Sequence, residues 1–133
     1  DSLQVISNAK HIAIGAGMPV KNNTGITISM LVFEPHQPRE IYSKQYLHPD
    51  EKAYFVSGQN ALHLTGKNTR TAFAICYELS VPAHAENAFK SGAEIYIASV
   101  AKSMIGVEKA MKRLSEIGNN YSIAVTCNYR SNN

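Results

Sequence analysis

Cys76 has the placement of a nucleophile. It follows an apolar run at 71–75 directly and precedes a helix that opens near Pro82. A thiol on a strand-to-helix turn is exposed at the carboxyl end of a sheet while its backbone is held rigidly, and the amide of Tyr77 can point at a developing oxyanion. The same position also suits a small buried apolar residue, which is what many free cysteines are. Cys127 lies at a similar strand end with no helix after it, and reads as structural. The histidines at 11, 36, 48, 63 and 84 show no H-x-x-x-H spacing and have no C-x-x-C companion, so no metal centre is expected. Gly15-Ala16-Gly17 fails as a dinucleotide fingerprint because position 20 is Val20. No Walker loop or G-x-S-x-G elbow is present.

The elements around Cys76 change period half-way along the chain. In the first half, 12–16 is a short apolar run, 18–25 carries turn residues, 26–33 is rich in β-formers and 39–43 returns as a more polar strand after Pro35-His36-Gln37-Pro38. Residues 46–58 read as a loop. Ahead of these, Leu3, Ile6 and Ala9 fall near one face of a helix. In the second half, 71–75, 95–100 and 121–126 read as strands. The helix from Pro82 to about Ser91 takes Ser80 as a cap, buries Ala85, Ala88 and Phe89, and stops at Gly92. Val107, Ala110, Met111, Leu114 and Ile117 recur at helical spacing up to Gly118. A β-α-β-α-β series implies a parallel sheet, so the fold class is α/β.

Composition sets broader bounds. The chain has 133 residues, 44% hydrophobic and 17% charged, a profile of folded globular protein. Its net charge of +3 is weak grounds for a nucleic-acid or membrane partner. Through position 66, Asp1, Glu34, Glu40, Asp50 and Glu51 balance Lys10, Lys21, Arg39, Lys44 and Lys52, so the surplus lies in the second half. There Lys109, Lys112 and Arg113 read as a solvated helix face. No stretch is apolar enough for a membrane span. Two cysteines make no disulfide framework, and a reducing, cytoplasmic compartment is the expectation.

Ala74-Ile75-Cys76-Tyr77-Glu78-Leu79-Ser80-Val81-Pro82 is an apolar strand followed by Cys, an aromatic residue, an acid and then Pro, and it resembles the nucleophile segment of the nitrilase superfamily of carbon–nitrogen hydrolases. Ile41-Tyr42-Ser43-Lys44-Gln45-Tyr46-Leu47 resembles its catalytic-lysine segment, with Tyr46 where members usually carry His. Glu51-Lys52-Ala53-Tyr54-Phe55-Val56-Ser57-Gly58 resembles its Glu-x-x-aromatic-aromatic-x-x-Gly loop. Gly92-Ala93-Glu94-Ile95 and 113–121 look like its later strand entry and helix end.

The resemblance implies part of a four-layer αββα sandwich, with 1–133 a single, incomplete domain cut at both ends. It implies Cys76 as nucleophile, Lys44 as oxyanion-stabilising cation and Glu51 as the acid that orients it. Tyr77, Glu78 and Ser99 fall on the oxyanion and substrate side. The general-base glutamate would belong to a segment ahead of Asp1; Glu34 and Glu40 lie in the wrong context to replace it. The implied substrate is a small amide, nitrile or carbamoyl compound, hydrolysed with no metal or organic cofactor by a homo-oligomer, while this chain alone is expected to be inactive. Two rivals remain: another cysteine-elbow α/β hydrolase, although Ala74 and Glu78 stand where an amidotransferase elbow has glycine, and a non-catalytic module of the same fold.

Overall fold

A computed structural model of the chain describes residues 2–59, 64–65, 68–121 and 124–130, with side chains over 2–59 and 68–121. The chain divides into two compact units, 1–60 and 61–133.

The first unit consists of helix α1 (Ser2–Lys10) and the strands β1 (Ile14–Asn22), β2 (Gly25–Phe33) and β3 (Glu40–Ser43), paired antiparallel in the order β1-β2-β3. β2 is central and supplies most of the buried apolar side chains, from Met30 to Phe33, with Tyr42 and Leu47 added from β3 and the loop beyond. β1 is an edge strand and so tolerates Pro19. It also runs further than the turn residues at 18–25 suggested. The reversal is confined to Asn22–Gly25, where the Asn22 Oδ1 accepts from the Thr24 hydroxyl and from the Thr24 and Gly25 amides. That local bonding is what Asx side chains provide in tight turns.

Helix α1 forms where expected but presents another face. Ile6 and Ala9 are exposed and Ser7 is buried, its hydroxyl donating to the Ile12 carbonyl at 2.7 Å and to the Phe33 carbonyl at 3.3 Å. Gln4 donates to the Glu34 carbonyl at 2.9 Å. The helix is therefore tied to the end of β2 by polar groups.

The second unit holds β4 (Leu64–Thr65), β5 (Thr71–Ile75), α2 (Pro82–Lys90), β6 (Ile95–Ala101), α3 (Met104–Tyr121) and β7 (Ala124–Arg130), the sheet running β4-β5-β6-β7. β5, β6 and β7 are parallel, as the alternating period implied, and the short β4 adds antiparallel to β5. Alanine dominates the core: Ala72, Ala74 and Ala98 from the sheet lie with Ala85 and Ala88 from α2 and Ala110, Leu114 and Ile117 from α3. Phe89 and Met111, expected inside, are exposed, and Phe89 stacks on Tyr121 at a centroid separation of 5.3 Å. Helical spacing places a residue near the apolar stripe, but the width of that stripe depends on what packs against it.

Two boundaries also differ from expectation. Val81, not Ser80, is the N-cap of α2 and makes no side-chain cap bond; Pro82, which needs no amide partner, opens the helix. α3 continues through Gly118 to Tyr121. Gly92 does end its helix, at φ +89, with its amide on the Phe89 carbonyl and the Ala93 amide on the Ala88 carbonyl. Lys109 and Lys112 are solvent-exposed. Among the described residues no helix is long and apolar enough to cross a membrane.

Candidate active site

The candidate residues fall into two groups, one in each unit. In the first unit the Lys44 side chain is fully buried, and its Nζ donates to both carboxylate oxygens of Glu51 at 2.8 Å. A buried ammonium needs such a partner, because leaving it unpaired costs several kcal/mol. Lys44 follows β3 directly, and its backbone is held on both sides: its amide donates to the Ile28 carbonyl at 2.8 Å and its carbonyl accepts from the Gly58 amide at 2.7 Å.

Glu51 is fixed by a short 3-10 turn, Pro49–Glu51, capped by His48. Its Oε2 also accepts the His48 amide at 2.8 Å, so one carboxylate closes the turn and pairs the lysine. The loop read at 46–58 thus contains an acid in direct contact with Lys44.

Gly58 has a role that spacing did not reveal. A Cβ there would lie 2.3 Å from the Ser43 carbonyl oxygen and 2.8 Å from its carbon. These are backbone atoms with no room to yield, so the position requires glycine. A polar cleft of about 290 Å³ lies nearby, lined by Asn22, Thr24, Thr27, Ser43 and Gly58 among others, but neither Lys44 nor Glu51 lines it. Its position argues against treating it as the reaction site.

In the second unit Cys76 begins a 3-10 turn, Cys76–Ser80, immediately after β5. Its φ is +50, in the left-handed region that costs a residue with a Cβ roughly 1–2 kcal/mol. Such strain persists only where the surroundings over-determine it, and it clusters at functional sites. The thiol is free and half-buried. Tyr77 is likewise half-buried, and Ser99 stands in register with Ile75 on the adjacent parallel strand β6. The structural reading of Cys127 lies outside the described side chains.

Glu78 is fully buried, and its Oε2 accepts the Ile75 amide at 2.9 Å. The His84 Nε2 faces the same oxygen at 3.6 Å, and the His84 Nδ1 is 2.8 Å from the Tyr96 hydroxyl. His84 and Tyr96 are buried too. Sequence spacing singles out neither: His84 enters it only as a possible metal ligand, and Tyr96 only as a strand residue. Among the described residues no group of three or more His, Cys, Asp or Glu side chains could hold a metal ion.

Burial lowers the pKa of His84, with the Glu78 charge opposing, so the imidazole is neutral near pH 7. Burial, reinforced by Glu78, holds the Tyr96 hydroxyl protonated well above the usual tyrosine range, against a smaller opposing pull from Arg113. A neutral ring carries one proton. A phenol donating to Nδ1 leaves that proton on Nε2, facing the carboxylate.

A pH dependence follows. The unfolded chain takes up a proton at position 84 as the pH falls through 6.5, whereas the folded chain takes it up only at lower pH. The contribution of His84 is therefore full above that pH and declines as the pH falls below it. Urea midpoints are expected to fall from about pH 7.5 to about pH 5.5, and to fall less in His84→Gln. Equal losses in both proteins would remove His84 as the cause.

No protein-family model and no curated protein sequence matches the chain. Solved structures do. A mutant of an amidase from Nesterenkonia sp., which shows Michael addition of acrylamide at its active-site cysteine, matches with a TM-score of 0.79 at 20% identity over 96% of this chain and 52% of its own. A CN-hydrolase superfamily protein from Xanthomonas campestris, carrying an arsenic adduct in its active site, matches with a TM-score of 0.85 at 15% identity, over 96% of this chain and 51% of its own. Another mutant of the Nesterenkonia amidase, in complex with butyramide, matches with a TM-score of 0.75 at 20% identity over 96% and 51%. The chain thus spans about half the length of the proteins it matches. Together with the antiparallel first unit and the parallel second one, these matches show that the chain has the α/β fold of the nitrilase superfamily.

Proposed function

We propose that the protein of which this chain forms part hydrolyses a non-peptide C–N bond, with Cys76 as nucleophile. The observation that carries this reading is the left-handed backbone of Cys76 at the strand-to-helix turn, on a fold whose solved examples include amidases with an active-site cysteine. A carboxylate base takes the thiol proton, and the thiolate attacks the carbonyl carbon of a small amide. The C–N bond breaks as the amine or ammonia leaves with a proton, and water then hydrolyses the thioester to a carboxylic acid and the free thiol.

In this reading Lys44 supplies the positive charge that favours the thiolate and the tetrahedral oxyanion, and Glu51 orients Lys44. The Tyr77 amide is an oxyanion donor, and Ser99 and Glu78 belong to the same side of the site. The general base is a glutamate other than Glu34 and Glu40, which lie in the wrong context for it. No metal or organic cofactor takes part. Small amides are the favoured substrate class, since one matched structure holds butyramide. Carbamoyl compounds are open to the same chemistry, and nitriles to it once water has added to the thioimidate that thiolate attack forms, releasing ammonia and leaving the thioester.

A homo-oligomer in a reducing, cytoplasmic setting completes the reading. Val5 and Ile6 on α1 and Met104, Ile105 and Met111 on α3 are exposed, and apolar surface of this kind favours self-association.

Thiol labelling tests the nucleophile. Near pH 7, alkylation of Cys76 by iodoacetamide, followed by peptide mass spectrometry, is expected to be about 10-fold faster than that of Cys127, and to lose that advantage in Lys44→Ala. Equal, slow labelling of both cysteines in the unmodified chain would sink the reading and leave a non-catalytic module of the same fold.

A further inference from the structure

We propose that Glu78, His84 and Tyr96 form a buried positioning chain that holds the Cys76 turn in its reactive geometry. The proposal rests on the reading of Cys76 as nucleophile and adds to it residues from α2 and β6. A cysteine at φ +50 relaxes to negative φ unless the chain on both sides is pinned. Upstream, Ile75 is pinned by its register with Ser99 and by its amide, which donates to the Glu78 carboxylate at 2.9 Å. Downstream, the Val81 amide donates to the Glu78 carbonyl at 3.0 Å. Glu78 thus closes the turn through its side chain and its backbone at once.

A buried carboxylate holds its place only if donors and positive potential surround it. His84 supplies part of that from α2, through Nε2 at 3.6 Å, a distance for electrostatic attraction rather than a formed hydrogen bond. Tyr96 sets which ring nitrogen carries the proton, through its hydroxyl at 2.8 Å from Nδ1, with the rings edge-on at 77°. Among the described residues, Arg113 on α3 also bears on Tyr96 and on the turn. The Nε of Arg113 donates to the Leu79 carbonyl at 3.3 Å, and its Nη1 pairs with Glu116 at 2.9 Å. Arg113 therefore holds the Leu79 carbonyl of the turn while its charge is matched by Glu116.

An ordinary buried polar cluster would stabilise the fold and nothing else. A positioning chain also sets the reactivity of Cys76, and a donor restored at the Nε2 position should rescue it. The test follows iodoacetamide alkylation of Cys76 in the 133-residue chain, from about pH 5.5 to pH 9, with circular dichroism reporting the fold. His84→Ala is expected to slow Cys76 alkylation about 10-fold at pH 7.5 with Cys127 unaffected, and His84→Gln to recover to within about 3-fold of the unmodified chain. Tyr96→Phe, which removes a single hydroxyl, decides the matter if His84→Ala does not fold. It should slow alkylation about 3-fold and change its pH profile.

Folded variants whose Cys76 reacts as in the unmodified chain, at every pH, overturn the positioning chain. So does a Gln variant that is no better than Ala. If Cys76 of the unmodified chain reacts no faster than Cys127, the nucleophile reading itself fails, an outcome distinct from either of these.

Discussion

Replacing Glu51 with leucine is expected to destabilise the chain by about 3 kcal/mol, read from urea denaturation, because it leaves the Lys44 ammonium buried without its carboxylate. Lys44 is fully buried and both oxygens of Glu51 lie 2.8 Å from its Nζ. The effect falls at the low end for buried pairs because the Glu51 side chain remains 25% exposed. It is not purely electrostatic: the same carboxylate accepts the His48 amide, and that donor is lost with it.

The companion variant makes the expectation specific. Lys44→Met combined with Glu51→Leu removes both charges and is expected to recover about 1–2 kcal/mol relative to Glu51→Leu alone, since an uncharged pair leaves no buried ion. A double variant as unstable as the single one would mean that Glu51 acts only through the His48 turn.

Gly58→Ala is the second large effect, with an expected loss of about 3 kcal/mol or more in stability. The added Cβ would meet the Ser43 carbonyl at 2.3 Å, and the hydrogen bond from the Gly58 amide to the Lys44 carbonyl could not survive the shift needed to relieve it. Lys44 would then lose one of its two backbone anchors. Gly17→Ala is the control, since a Cβ there meets nothing nearer than 4.0 Å, and it should change the urea midpoint little. Equal destabilisation by the two substitutions would show that the close approach at Gly58 is relieved at little cost.

Much of this could be read from residue order. The run 71–75 before Cys76, Pro82 after it and Gly92 beyond α2 marked a strand, a helix start and a helix stop. Each signal is local: a β-rich run, a ring that needs no amide donor, and a residue free to take φ +89. The alternation of strand and helix implied the parallel β5-β6-β7 sheet for the same reason, because parallel neighbours need a crossover. The spacing of Lys44, Glu51 and Cys76 was legible through family resemblance, which records positions but not contacts.

Other features became visible only in three dimensions. Ser7, not Ile6, is buried on α1, and Phe89 and Met111 lie outside, because burial depends on the neighbouring surface as well as on period. Nothing local explains why Gly58 must be glycine, since the obstacle is the backbone of Ser43, fifteen residues earlier. His84 and Tyr96 sit on different elements from Glu78, and only the packing of α2 and β6 against the turn brings them to it. The sequence determined that a cysteine stands at the end of a strand in an α/β chain. Tertiary structure decided that its backbone is left-handed and that a buried glutamate, histidine and tyrosine lie behind it. A side chain's chemistry depends on its neighbours in space, and neighbours in sequence determine those only in part.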